Sequence, residues 1–388
     1  MYLSTSIIEV VFENIMSNST CAISASNAQK AAIAIIPKFS SLLSIIGSSF
    51  IIYKIMGGKK LSTTFNRFLF AMSLSDMLSS IGTFVSTWAI PSDSHTQNVA
   101  AGCFYGNIGD ETTCTLQGFI IHIGTLSMII YNAMLSLYFW LRIQFNWDAT
   151  RFVQAEYGIH GFTALFISGA AVVSMKFDVY NPYISTCALM PYPPNCNYHH
   201  EIECIRGKNN PLLTILFMVV PFIGSTIIIF VSMAALYKYV KEEEIRMSEF
   251  RLNGSSETVR TEQSKKVFRQ AFLYASAFAV IWLPAIIAKA IISSRMYAGE
   301  GSQTSIFFIF VHSLVWPLHG FFNAVIHSPE FGSMVIGCCM WLTKPLQALF
   351  VAVKERGCAV HGRLSIPTPV TTMNVANETM ATTTVVYE

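Results

Sequence analysis

The chain has 388 residues, 53% of them hydrophobic and 12% charged, with a formal net charge of +3. A soluble domain carries about 25% charged residues, so this composition excludes an ordinary cytosolic enzyme. The small net charge gives no ground for a nucleic-acid partner.

Met1–Asn18 carries Glu9 and Glu13 where a cleavable leader would have a basic start and a short apolar core, so the first apolar run is expected to direct its own insertion. Seven runs of membrane-spanning length follow. The first is Ala32–Met56, interrupted by Pro37 and Lys38. The second is Phe65–Ile90 and the third Cys114–Arg142. The fourth, Tyr157–Phe177, is rich in small residues (Gly161, Gly169, Ala170, Ala171), as a tightly packed helix is. The fifth is Pro211–Val240, the sixth Val267–Ser293 and the seventh Ser305–His327, each with an internal proline: Pro221, Pro284 and Pro317. This pattern predicts an all-α membrane protein, a seven-helix bundle over 32–328. An outer tail, 1–31, precedes it, and a juxtamembrane segment with a Thr-rich tail, 329–388, follows.

The third run is predicted to be the central helix. From Cys114 to Arg142 a helix would be about 43 Å long, and it carries His122, Thr125, Ser127, Asn132 and Ser136 inside an uncharged stretch. Polar groups at membrane depth face other helices or a cavity rather than lipid.

Lys and Arg placement sets the expected orientation. Lys54, Lys59, Lys60 and Arg67 flank the first connection, Arg142 and Arg151 the third, and Lys238, Lys241, Arg246, Arg251 and others the fifth. By the positive-inside rule these connections are cytoplasmic, the N-terminus outside and the C-terminus inside. Cys21, Cys103, Cys114, Cys187, Cys196 and Cys204 then all fall outside, where disulfides persist, although spacing alone fixes no pairing. Asn18 opens a glycosylation sequon on the outer tail.

Several residues carry chemistry. Asp76 in mid-membrane would cost about 2.5–3.5 kcal/mol or more without a partner. Lys289 stands about 7.5 Å beyond Pro284 and could meet an anionic ligand or reach the outer headgroups. The His199-His200-Glu201 stretch has no standard metal-ligand spacing, so no metal site is expected.

The motifs together resemble those of G-protein-coupled receptors. Leu74-Ser75-Asp76 stands where such receptors carry a buried Asp in the second span, and Trp282-Leu283-Pro284 matches Cys-Trp-x-Pro, with Phe278 one turn before the Trp. Asn323-Ala324-Val325-Ile326-His327 occupies the place of Asn-Pro-x-x-Tyr, while Pro317–Asn323 is closer to the Gln-Gly-x-x motif of cyclic-AMP-receptor-like and secretin-like members. The whole is similar to the divergent receptors of protists such as diatoms.

The resemblance implies a plasma-membrane receptor, not an enzyme, that passes an extracellular ligand signal to a heterotrimeric G protein. It implies a switch at Asp76, Asn323, Trp282, Pro284, Phe278 and His327, with a sodium ion or a proton at Asp76. It implies an outer ligand pocket from Ile121, His122, Thr125, Lys289, His312, Ser313 and Trp316. A disulfide from Cys114 to Cys204 is implied too, leaving Cys187 and Cys196 to close a turn of the same loop. At the inner end Tyr138-Phe139-Trp140 replaces the family's acidic-Arg-Tyr triplet, so Tyr138, Phe139 and Arg142 become the expected G-protein contact. Cys338 and Cys339 are candidates for palmitoylation, and the Thr-rich tail for a receptor kinase and an arrestin-like adaptor. The seventh span lacks the lysine an opsin needs for its Schiff base. The competing reading is a polytopic transporter or channel of similar fold.

Overall fold

The side chain of Ser26 accepts from the Gln29 amide and that of Gln29 from the Ser26 amide, and this capping box starts the first helix, α1 (Asn27–Gly57), five residues before the predicted apolar run. The computed structural model describes residues 25–58, 60–93, 102–147, 149–193, 196, 203–208, 210–250, 268–269, 272–273, 275–284, 286–288, 291, 303–328, 330–335 and 337. Asn18, Lys289, Cys338, Cys339 and the Thr-rich tail lie outside the described residues.

After a 3-10 turn at Lys60–Ser62, Thr63 caps α2 (Thr64–Val85), which continues as a 3-10 turn, Ser86–Ala89. Asp110 and Thr113 form a second capping box that starts α3 (Glu111–Gln144). The fourth helix, α4 (Ala149–Lys176), leads into a two-stranded antiparallel hairpin, β1 (Tyr180–Tyr183) and β2 (Thr186–Leu189). The fifth helix, α5, runs from Asn210–Thr214 through a π-helical turn, Ile215–Val219, into Val220–Phe250. Pro221 lies one residue beyond that turn, after Val220, and the wider turn absorbs the loss of the amide hydrogen bond that a proline cannot donate. The sixth, α6, is described over Ala275–Ala288. The seventh, α7, is Gln303–Val315 and His319–His327, joined by a 3-10 turn, Trp316–Leu318, where Pro317 interrupts the α-helical ladder.

Among the described residues six helices are long and apolar enough to cross a membrane, and α6 is a shorter apolar helix between the fifth and the last. In the most apolar stretch of α3, 72% of residues are buried, against 39% in α1 and 28% in α4, so α3 is the centre of the bundle. Met1–Gly332 forms one unit, and within Ser333–Glu388 the described residues 333–335 and 337 are helical.

Lys38 does not break α1. Its ammonium turns to the end of α2, donating to the carbonyls of Phe84 (3.3 Å) and Val85 (2.9 Å) and lying 3.5 Å from the centroid of the Trp88 ring. A cation at a helix C-terminus and over an aromatic face is favourable on both counts.

The disulfides correct the expected pairing. Cys114 joins Cys187, with the Cα atoms 5.4 Å apart, and Cys196 joins Cys204; Cys103 is disulfide-bonded as well. Gln117 explains the first bond. Its side-chain oxygen accepts from the Cys187 amide (2.9 Å), and its nitrogen donates to the carbonyls of Gly82 (2.9 Å) and Ser86 (2.8 Å). β2 is thereby held across the start of α3 with Cys187 over Cys114. Cys204 lies instead in a turn strapped by the Tyr192–Arg206 bridge, within reach of Cys196 only eight residues away. Arg206 secures that turn through ion pairs with Glu111 (3.0 Å) and Asp178 (3.3 Å), while burial and the charges of Glu111 and Asp93 push the Tyr192 phenol up to about 12.

Candidate functional site

Three assemblies run along the bundle, and α3 takes part in each of them. At the disulfide end the hairpin enters the bundle. Tyr180 is 1% exposed, and its ring lies against Gly118, where an added Cβ would stand 2.8 Å from the ring. Its hydroxyl shares a 2.8 Å hydrogen bond with Nδ1 of His122 and donates to the Ala171 carbonyl at 3.5 Å. Burial pushes the Tyr180 phenol up, so it remains a neutral hydroxyl able to serve both partners. Tyr180→Phe would leave His122 buried without this partner. The expected cost is about 1–3 kcal/mol, read as a lower unfolding temperature of the purified protein with no change in helix content.

Helix geometry disperses the residues expected to form one outer pocket. Successive residues on a helix point about 100° apart. Ile121 packs on α2, where a Cβ at Gly82 would stand 2.6 Å from its side chain, and Thr125 shares a 3.1 Å hydrogen bond with Ser79 of the same helix. His122 faces the hairpin. On α7 the Ser313 carbonyl accepts from Ser40 of α1 (3.3 Å), and the His312 ring stacks on Trp316 at 5.5 Å. The candidates of α3 and α7 therefore line different contacts.

At mid-depth Asp76, 1% exposed, accepts from the Asn323 amide at 2.8 Å, joining α2 to α7. Beside it a cavity of about 10 Å³ is lined by Asp76, Ser79, Ser80, Thr83, Met128, Trp316, Pro317 and His319. That is room for one water-sized guest. The second carboxylate oxygen of Asp76 and both ring nitrogens of His319 have no hydrogen-bond partner among the described residues. A hard cation needs a shell of oxygens, and here it would find the second Asp76 oxygen and the hydroxyls of Ser79, Ser80 and Thr83, whose lone pairs persist when they donate, beside the thioether of Met128 and the imidazole of His319, which it does not favour. A water, or a proton on Asp76, suits the same donor set.

One turn from this cavity, aromatic rings join α5, α6 and α7. Trp282 lies 4.8 Å from Phe222, 5.9 Å from Phe278 and 6.1 Å from His319. His319 thus touches both the aromatic cluster and the Asp76 cavity. Sequence reasoning passed over it, although a histidine four residues before Asn323 shares its helix face.

α7 reaches Asp76 because α1 lets it come close. Ser40, Ser41, Ser44 and Ser48 are each at most 1% exposed, and the Ser44 hydroxyl accepts from the Gly320 amide at 2.9 Å. Gly47 faces Gly320 and Phe321 with no room for a side chain.

At the opposite end Tyr138 packs 4.6 Å from Phe152 of α4, and Phe139 lies 5.5 Å from Phe65 of α2. Phe65 also lies 5.6 Å from His327, which brings the ends of α2, α3 and α7 together. Arg142 does not reach across the bundle; it donates to the Trp147 carbonyl at 2.9 Å and closes the end of its own helix. Sequence reasoning also missed Glu156 of α4, which pairs with Arg67.

Residues 47–323 match the model of the family described as 7 transmembrane receptor (rhodopsin family). The chain belongs to the rhodopsin family of seven-transmembrane receptors. Its fold is similar to that of squid rhodopsin, with a TM-score of 0.56 at 16% identity, over 82% of this chain and 88% of that one. No curated protein sequence matches it. The receptor is accordingly a multi-pass membrane protein.

Proposed function

We propose that this receptor carries an extracellular ligand signal across the plasma membrane to a heterotrimeric G protein, with the basic connections on the cytoplasmic side. The observation that carries the reading is the Asp76–Asn323 hydrogen bond beside the Trp282–His319 cluster. A ligand pressing on the outer side of that cluster would bias α6 and α7, and the carboxylate would follow by changing its proton or its partner. The ligand shifts the balance between two states only by its differential affinity for them.

Tyr138, Phe139 and the fifth connection would form the transducer contact, with receptor kinase and arrestin-like adaptors acting on the tail. Asn18 would be the outer glycosylation site and Cys338 and Cys339 lipid attachment points. Lys289 would contribute to ligand capture.

The test is guanine-nucleotide exchange by purified receptor in lipid nanodiscs with a panel of Gα subunits. Wild type is expected to accelerate exchange on at least one of them, and Asp76→Asn to change its basal rate about 5-fold or more, within the usual range of allosteric coupling. No acceleration on any Gα, together with no effect of Asp76→Asn, would reject the reading.

A further inference from the structure

Arg67 of α2 has five N–H donors, and each has an acceptor. Nε and Nη2 grip the two carboxylate oxygens of Glu156, the latter at 2.7 Å. Nη2 also donates to the Thr64 hydroxyl (3.1 Å), and Nη1 to the carbonyls of Leu61 (2.8 Å) and Ser62 (2.9 Å) in the turn before α2. The Glu156 side chain is only 5% exposed. One helical turn on, His160 stands 3.6 Å from the same carboxylate, and its other ring nitrogen shares a 2.8 Å hydrogen bond with the Tyr131 hydroxyl of α3. A continuous polar chain therefore runs from the first connection through α2 and α4 to the central helix.

We infer that Arg67 and Glu156 form a clamp that fixes the first connection and the inner parts of α2, α3 and α4 as the immobile half of the end that receives the transducer. Magnitudes decide between a fixed clamp and a switch. Arg67 is half-buried but Glu156 is buried, and stranding that carboxylate costs on the order of 10³-fold in the folding equilibrium, whereas allosteric coupling between sites is about 5–150-fold. A ligand does not supply enough to break the clamp on each cycle. Switching is left to α5, α6 and α7, which meet one another through the Phe222, Phe278, Trp282 and His319 rings and carry the proline and π-helical irregularities.

The clamp itself rests only on the geometry; its role in transducer docking rests on the proposed coupling, and the experiment separates the two. In purified receptor, Glu156→Leu strands Arg67 and is expected to lower the unfolding temperature by roughly 5 °C or more. Adding Arg67→Met removes the stranded charge and should restore that temperature to within about 2 °C of wild type. The double variant still lacks the two bonds from Arg67 to the first connection, so amide exchange at residues 60–63 should rise about 10-fold. Where wild type drives exchange on Gα, the double variant should drive it several-fold less at equal folded concentration.

An unchanged unfolding temperature in Glu156→Leu, or unchanged amide exchange in the double variant, overturns the clamp. A ligand-free rise in nucleotide exchange on breaking the pair makes it a switch and overturns the fixed-half assignment. If wild type drives no exchange on any Gα, the coupling reading fails, while the temperature and amide-exchange results still decide the clamp.

Discussion

Cys187→Ser, which removes the Cys114–Cys187 bond, is expected to destabilise this receptor more than Cys196→Ser, which removes the Cys196–Cys204 bond. The Cys114–Cys187 bond spans 73 residues and the Cys196–Cys204 bond eight. Loop-closure entropy assigns about 4.4 kcal/mol to the first and about 2.6 kcal/mol to the second. The first also holds a buried element in place. With it gone, the hairpin is kept between the helices by the Gln117 bond to the Cys187 amide, the Ser86 bond to the Ser185 carbonyl, the Tyr180 bonds to His122 and Ala171 and apolar contacts. Thermal unfolding of Cys187→Ser and Cys196→Ser, with amide exchange across residues 180–189, checks the ranking. A larger loss from Cys196→Ser, or a hairpin equally protected without its bond, would show that the hairpin docks by packing alone.

Gly47→Val should be the second severe change, and it acts on the Asp76–Asn323 bond from a distance. A Cβ at Gly47 would lie 2.7 Å from the Gly320 carbonyl oxygen and 2.8 Å from the Phe321 Cα, both backbone atoms with no rotamer to escape into. Overpacking costs about 1–3 kcal/mol where side chains can yield, and here two helix backbones must separate instead. The displaced segment lies three residues before Asn323, so the Asp76–Asn323 bond should be lost with it. Gly224→Ala is the control: nothing lies within 4 Å of its added methyl, and a helical glycine replaced by alanine gains up to about 1 kcal/mol. Expected, then, is a much reduced yield of folded receptor for Gly47→Val and wild-type yield for Gly224→Ala, measured by size-exclusion chromatography in one detergent. Equal yields would mean that α1 and α7 slide apart without penalty.

The spans were legible because a bilayer demands length and freedom from charge, and few soluble patterns meet both. Asp76 and Asn323 were legible for a related reason: a polar group is costly enough at membrane depth that its presence announces a partner. Their meeting at 2.8 Å is the most direct agreement between motif and geometry. The boundaries were less legible. The α1 and α3 helices start at capping boxes, Ser26 with Gln29 and Asp110 with Thr113, which lie outside the apolar windows that revealed the helices.

The disulfide pairing and the hairpin were hidden for another reason. They depend on Gln117, a residue whose four hydrogen-bonding options look the same in sequence whether it faces lipid, water or a strand. Glu156 was hidden by its position at the start of a span, where a charge reads as a solvated flank. In the sequence Arg67 reads only as one of the cations that set the orientation. Its partner is 89 residues away, and no local pattern links the two. Angle separates the pocket candidates of the third span: Ile121, His122 and Thr125 are near in sequence, yet the helix turns them towards α2 and the hairpin.

The bond between Asp76 and Asn323 joins residues 247 apart, so it also sets a clock for biosynthesis. At about 5–20 residues per second, α2 is complete about 12–50 s before Asn323 exists. For that interval the bundle holds an acidic group at membrane depth without the amide that later engages it. The helices that arrive in between can pack, clamp Arg67 to Glu156 and seat the hairpin, but the polar core stays open until the last span is made. Assembly of this receptor therefore ends where its signalling would begin, with α7 closing on Asp76.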